Sequence, residues 1–252
     1  MKYLWIAVLV GAVSVSGMDL PKVKVPHLKA IPVIDGRISG DEWRNAAELS
    51  AFHGAADRPS AEVLPTRCLL GWTTEWLLIA FECVDPVIMC GGKDRDSELH
   101  RGDTVEIFID SVGSNMEYYE IAAAPNGAVA DLKFVLSSPP VYSARGDFLG
   151  AFTSKHRHRF RDWNLPGLKT AAAPLIQNNR TIGFQIEIAI PSEVLMSRMG
   201  KSRLEPCTMR ANFCRFDYSA VGQEGIFSSW SQVLFGLPHS MPRRFGFLVL
   251  DF

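Results

Sequence analysis

The sequence predicts an all-β protein, an antiparallel β-sandwich with only short helices. Apolar and polar residues alternate along eight short segments, turn-forming residues separate those segments, and the 15 prolines and 20 glycines are spread along the chain. Of the 252 residues, 47% are hydrophobic and 21% are charged, which is the composition of a globular protein. The 26 Lys and Arg nearly balance the 27 Asp and Glu, so no positive charge excess indicates a nucleic-acid partner.

The first 17 residues are typical of a secretory signal peptide. Lys2 precedes an uncharged apolar run over residues 3–13, and small residues follow it. The run is shorter than the about 18 residues that indicate a membrane span, and no later stretch reaches that length. We therefore expect residues 1–17 to be removed, residues 18–33 to form a linker and residues 34–252 to form one domain, secreted or periplasmic.

The elements of this domain follow from local patterns. Asp41 is a favourable N-cap for a short helix whose apolar face holds Trp43, Ala46 and Ala47. A polar turn at residues 73–75 predicts a hairpin. The segment from 137 to 174 has no clear periodicity and is longer than an ordinary connection, so we expect an irregular excursion from the sheets. The predicted strands cover residues 66–72, 76–84, 103–110, 117–124, 128–134, 182–190, 208–216 and 243–251.

The strand over residues 103–110 alternates cleanly between two faces. Its aliphatic side chains must face the core, and they are Val105, Ile107 and Ile109. Glu106 and Phe108 lie on the opposite face, and a carboxylate beside an aromatic ring is typical of sugar-binding sites. A solvated glutamate with a covered ring is the alternative. Glu120 adds a second carboxylate if it shares this face.

Eight short motifs follow one another along the chain: IDGRISGDEW, WLLIAFECVDP, RGDTVEIFID, YYEIAAAPNG, IEIAIP, NFCRFD, SSWS and HSMPRRFGFLVLDF. In this order they resemble carbohydrate-binding module family 9, in its stand-alone exported form. The resemblance spans residues from about 34 to 252 and implies an immunoglobulin-like or DOMON-like β-sandwich. It also implies calcium ions with structural roles and non-catalytic binding of sugars.

The resemblance also implies a set of sugar-binding residues. In characterised modules of this family two tryptophans hold the sugar between them, and the matching positions here are His100 and His239. Glu106 matches the family's glutamate that hydrogen-bonds the sugar, and Glu120 lies about where the family has a binding arginine. Trp230 is the tryptophan most expected to be partly exposed. An imidazole offers less stacking area than an indole, so we expect a weaker or differently specific site.

No nucleophile-elbow, metalloprotease, phosphate-loop or dinucleotide motif occurs in the sequence. We therefore expect a non-catalytic carbohydrate-binding protein that supports polysaccharide breakdown through a partner enzyme. A haem-binding or redox-partner domain is the alternative, because relatives in the DOMON-like group bind haem and His100, His239 and Met241 lie near the expected site. A domain that has lost its ligand site is a third hypothesis. The basic run over residues 155–161 is interpreted as a solvated loop.

Overall fold

The computed structural model describes residues 20–56, 62–138, 156–218, 225–234, 236–238 and 241–252. Within these residues, fourteen strands form two sheets that pack face to face. The α-helix found there is Ser192–Met196 (α1), and 3-10 helices cover Leu99–Arg101, Ser197–Met199 and Pro242–Arg244. The predicted β-sandwich with short helices is confirmed.

The larger sheet has nine strands. They are β1 (Lys22–Pro26), β3 (His53–Gly54), β6 (Thr104–Asp110), β7 (Glu117–Ala123), β8 (Val129–Leu136), β9 (Arg157–Phe160), β12 (Thr208–Asp217), β13 (Ile226–Ser229) and β14 (Gly246–Asp251). The order is β1-β14-β12-β6-β7-β8-β9, and β13 pairs with both β12 and β3. The β1–β14 pair is parallel, and the other described pairs are antiparallel.

The smaller sheet has five strands in the order β10-β11-β5-β4-β2. They are β2 (Ala47–Leu49), β4 (Thr66–Trp72), β5 (Trp76–Val84), β10 (Lys169–Gln177) and β11 (Arg180–Pro191). The predicted hairpin between β4 and β5 is confirmed, since the Thr73 amide donates to the Trp76 carbonyl at 2.8 Å.

One continuous core lies between the two sheets. The three aliphatic side chains of β6 that alternation predicts to face inward, Val105, Ile107 and Ile109, are fully buried there. Phe213 of the large sheet and Phe81 of the small sheet meet with their ring centroids 6.3 Å apart. Burying an apolar side chain of this size stabilises the fold by about 1.5 to 3 kcal/mol. The opposite side chains of β6 are thereby directed to the outer face of the large sheet.

The first of the eight motifs is held against the outer face of the small sheet. Glu187 of β11 accepts hydrogen bonds from the amides of Asp35 and Gly36 at 3.0 and 2.8 Å, and from the Trp43 indole at 2.8 Å. Gly36 has φ +85°, and a Cβ there would lie 2.5 Å from the backbone carbon of Ala172. A side chain does not fit at this position. This motif therefore serves the fold.

The predicted short helix after Asp41 is wrong. The segment forms turns, in which the Ala46 amide donates to the Trp43 carbonyl at 3.0 Å. Ala47 begins β2 instead and pairs with Leu70 of β4. The chain here is drawn into a sheet edge, and this tertiary pairing overrides the local preference for a helix.

Two segments predicted without strands contain them, so both predictions are corrected. Within the predicted linker 18–33, β1 pairs with β14, and its Val25 is fully buried. In the predicted irregular segment, β9 and the first residues of β10 form strands, whereas residues 139–155 lie outside the described residues. All three strands lie at sheet edges. Edge strands are buried on fewer sides, so their sequences carry a weaker alternation.

The predicted signal peptide, residues 1–17, lies outside the described residues and stays a prediction. In the part of the chain that the structure describes, no helix has the length and apolar character needed to cross a membrane.

Candidate functional site

Two glutamates meet on the outer face of the large sheet. Glu106 of β6 pairs with Ala122 of β7, and Glu120 of β7 pairs with Phe108 of β6. The two carboxyl groups are therefore diagonal neighbours on one face, at positions about 7 to 8 Å apart along such a pair. Each glutamate is only 6% exposed. The structure thus brings together the two acidic residues that the sequence analysis singled out.

Burial raises the pKa of both carboxyl groups. It is the larger cause for Glu106, whose pKa lies well above its ordinary value, and the negative charge of Glu120 adds to the rise. Burial raises the pKa of Glu120 to about 8, although the positive charge of Arg157 opposes the rise. Two acids that share a site with little water cannot both ionise readily. At neutral pH the pair therefore retains a proton.

A guanidinium and two stacked rings lie beside Glu120. Arg157 of β9 donates a hydrogen bond to the Tyr118 hydroxyl, and its guanidinium carbon lies 5.6 Å from the centroid of the Phe134 ring. Tyr118 and Phe134 stack with their centroids 4.9 Å apart and an angle of 14° between the planes. The loop interpretation of residues 155–161 is wrong for Arg157–Phe160, which form strand β9, and Arg157 is half-buried there. The signal in the sequence that could have pointed to Arg157 was the run of basic residues next to Phe160.

The other side of Glu106 is bounded by β12 and the residue that follows it. Cys214 pairs with Glu106 and lies on the same face, and the charges of both glutamates add to the burial that raises the pKa of its thiol. Tyr218 donates a hydrogen bond from its hydroxyl to the His100 carbonyl at 2.7 Å. Burial and the charge of Glu106 raise the pKa of Tyr218. His100 is thus linked to this region through its backbone carbonyl, and the residue is exposed to solvent.

The structure places the remaining predicted residues elsewhere. Trp230 is 8% exposed and packs against Phe213 with ring centroids 5.9 Å apart, so the expectation of a partly exposed ring is wrong. Its amide donates to the Phe213 carbonyl at 2.9 Å, which ties the residue to β12 above the core. His239 lies outside the described residues. Met241 is fully buried in a small apolar cluster with Val233.

A second acidic cluster lies where the end of β5 meets the end of β12. Carboxylate oxygens of Asp85, Asp103 and Asp217 lie within 4.8 Å of one another, and all three residues are buried. Arg215 lies among them, with one guanidinium nitrogen 3.0 Å from Asp85 and 3.8 Å from Asp217. Burial raises the pKa of Asp103 to about 7, against two backbone hydrogen bonds that lower it.

These three acids do not fit a calcium ion. Calcium takes about six to eight oxygen ligands, but both oxygens of Asp103 accept backbone amides and those of Asp85 accept Arg215 and the Val87 amide. The guanidinium of Arg215 already supplies the positive charge that balances these carboxylates. Across the described ranges no other three His, Cys, Asp or Glu side chains come this close. The expected structural calcium stays a prediction, because calcium also binds backbone carbonyl and side-chain amide oxygens.

A surface cleft lies on the other side of the sandwich. It has a volume of about 290 Å³ and is lined by residues 28–32 together with Asp41, Glu42 and Asn45. This segment covers the outer face of the small sheet, where Leu28 packs in one apolar cluster with residues of β5. The cleft is therefore separate from the two glutamates. Unlike them, the polar side chains that line it are not buried together.

Comparison with known protein families matches part of the chain. Residues 34–127 match the family model described as Carbohydrate family 9 binding domain-like. This segment runs from the first motif through β7 and includes both Glu106 and Glu120. The predicted resemblance to carbohydrate-binding module family 9 is thus confirmed. A search of curated proteins found no match.

Solved structures share the fold over nearly the whole chain. A candidate carbohydrate-binding protein from Bacteroides uniformis aligns with a TM-score of 0.65 and 16% identity, covering 92% of this chain and 100% of that one. A family 9 carbohydrate-binding module from Caldicellulosiruptor kristjanssonii, in complex with cellotriose, aligns with a TM-score of 0.63 and 16% identity, covering 92% and 94%. The same organism's module in complex with glucose gives 0.62 and 16%, covering 92% and 96%. At this identity the likeness establishes the fold.

Proposed function

We propose that this chain is a non-catalytic carbohydrate-binding protein whose ligand is bound at the outer face of the large sheet. The observation that carries the proposal is the pair of carboxyl groups of Glu106 and Glu120 on one face, beside stacked rings and a guanidinium. The match to the family 9 model supports it, because the matched segment includes both acids. Neighbours of the same fold bind cellotriose and glucose, which supports a gluco-oligosaccharide as the ligand class.

The chemistry of this face suits sugar hydroxyls. Carboxyl oxygens accept hydrogen bonds from hydroxyls, a protonated carboxyl group also donates one, and a guanidinium donates several. The stacked rings of Tyr118 and Phe134 are fully buried, so the hydrogen-bonding groups rather than these rings would contact a sugar. Because Glu106 and Glu120 are each 6% exposed, side chains at the margin must move when a sugar enters. Arg157 and Tyr218 are the half-buried side chains next to them, and they are the groups that we expect to move.

The proposal includes export and the absence of catalysis. The apolar leader supports delivery outside the cytoplasm, where polysaccharides are broken down by other enzymes. A glycosidase needs two carboxyl groups about 5 to 9.5 Å apart with the scissile bond between them. Glu106 and Glu120 project to one face from adjacent strands, and each is only 6% exposed, whereas the two acids of a glycosidase flank the bond that they cleave. We therefore assign them to binding.

Replacing Glu106 with alanine is expected to weaken the binding of cellotriose by about 1.5 to 3 kcal/mol, because the sugar hydroxyls that its carboxyl group binds would be left buried without a partner. This corresponds to a rise in Kd of about ten- to a hundredfold. Isothermal titration calorimetry measures the change. Glu82→Ala is the matched control, since Glu82 lies on β5 in the other sheet and pairs with Arg67. If Glu106→Ala lowered the melting temperature but left the Kd unaltered, Glu106 would be structural.

A further inference from the structure

Glu106 is a buried acid to which the described residues donate no hydrogen bond. The residue is only 6% exposed, and its pKa is shifted by burial and by the charge of Glu120, with no hydrogen bond from a described residue. The groups that face it are Glu120 from β7, Cys214 from β12 and Tyr218 after β12. None of these three is a cation. The position is polar, nearly closed to water and short of positive charge.

Among the described residues, the cation that acts on the acid pair is Arg157, and its guanidinium also makes other contacts. The charge of Arg157 acts on Glu120, while its guanidinium donates to the Tyr118 hydroxyl and lies over the Phe134 ring. Within the part of the chain that the structure describes, the two carboxyl groups therefore share the charge of one guanidinium. A buried carboxylate is costly unless it is paired with a cation and hydrogen-bonded. Without a ligand, a proton held by the pair removes one of the two negative charges. A cationic ligand would instead balance that negative charge with its own positive charge.

We propose that the sugar bound at this face carries a free amino group, as glucosamine does, and that its ammonium binds between Glu106 and Glu120. The inference rests on the proposed function and names its ligand class. An ammonium supplies three donors on one positive charge, which satisfies the unpartnered carboxyl group of Glu106 and the excess negative charge together. A uronic acid would bring a third carboxylate to the same place. A neutral hexose would leave the acid pair protonated.

The ammonium and the shared proton compete for the same carboxyl groups. When an ammonium binds, the proton held by the acid pair is released to the solvent, so the affinity for glucosamine rises with pH while the amine stays protonated. We expect the Kd for glucosamine to fall by up to about tenfold per pH unit between about pH 5.5 and about pH 7.5. The affinity for glucose, which carries no charge, has no such slope.

Calorimetric titration with three monosaccharides tests the inference. Glucosamine, N-acetylglucosamine and glucose share one ring, and only the first carries a charge. The expected result is that glucosamine binds at least about tenfold more tightly than either neutral sugar near pH 7, which is a difference of about 1.4 kcal/mol. Titration in two buffers of different ionisation enthalpy measures the released proton. In Glu120→Gln the ratio of the glucosamine to the glucose affinity falls to about one, and in Glu82→Gln it is unchanged.

The outcomes separate this inference from the function on which it rests. If glucose and N-acetylglucosamine bind as tightly as glucosamine, the charge preference is contradicted and the proposed sugar-binding function stands. If no sugar or oligosaccharide of either kind binds, both are overturned. If glucosamine is preferred but the preference survives in both Glu106→Gln and Glu120→Gln, its ammonium binds elsewhere and the assignment to this acid pair is wrong.

Discussion

Glu187→Ala is expected to lower the free energy of unfolding by about 3 kcal/mol or more. The substitution leaves three donors without their acceptor, namely the amides of Asp35 and Gly36 and the indole of Trp43. Each buried donor left unsatisfied costs about 1 to 3 kcal/mol. Because Glu187 itself is fully buried, water does not replace the lost acceptor without a rearrangement of the segment that covers the small sheet.

Denaturation with urea or heat measures this loss, and Glu82→Ala is the matched control. Glu82 also lies on the outer face of the small sheet, but its side chain is 29% exposed and its partner Arg67 is 37% exposed. Such exposed pairs contribute about 0 to 1 kcal/mol. Glu187→Gln retains one acceptor oxygen and should give an intermediate value. Equal losses for Glu187→Ala and Glu82→Ala would show that the first motif is not held by this carboxyl group.

The second large effect is a fall in the melting temperature as the pH is raised from about 5 to about 8.5. The folded-state pKa is raised above the ordinary value for Glu106, for Glu120 to about 8 and for Asp103 to about 7. Between the unfolded and folded pKa values the folded protein binds more protons than the unfolded chain, so the free energy of unfolding decreases as the pH rises. This stabilisation is complete below about pH 4 and is lost through about pH 8.

The expected fall is about 5 °C or more, which corresponds to about 2 kcal/mol for a chain of this size. Calorimetric scans at a series of pH values measure it. Glu106→Gln removes one acid of the pair and relieves its repulsion with Glu120, so the variant should lose less stability over the same pH range. Glu82→Gln should behave like the parent protein. A melting temperature that rises with pH, or an unchanged slope in Glu106→Gln, would contradict the assignment of the buried acid pair.

Much of the sandwich was predictable because its central strands alternate strictly. β6 illustrates this, since its aliphatic side chains face the core and Glu106 faces outward as the period of two requires. Pairing at the sheet edges was not predictable. β1 pairs with β14, which is distant in sequence, and β9 pairs with β8, from which residues 137–156 separate it. Local patterns do not encode such partners. β10 pairs with β11, which follows it directly, but its own sequence alternates weakly.

The candidate site was predictable only in part. The alternation of two segments placed Glu106 and Glu120 outside the core, but their adjacency depends on the register between β6 and β7. Arg157 was missed because the strand that carries it is recognisable only from its pairing with β8. Trp230 was expected to be partly exposed because its neighbours in sequence are polar, whereas the hydrogen bond from its amide to the Phe213 carbonyl holds it over the core. Polar neighbours in the sequence do not indicate whether a single side chain points to solvent or to the core.

Carboxyl resonances of the glutamates provide the most direct measurement of where a sugar binds. In a protein labelled with carbon-13 at the glutamate carboxyl groups, those of Glu106 and Glu120 can be followed while cellotriose is added. Our account predicts that these two resonances move together and saturate, while those of Glu48 and Glu82 on the small sheet stay in place. Saturable shifts at Glu48 or Glu82 with none at Glu106 and Glu120, or no shift at any glutamate, would contradict it.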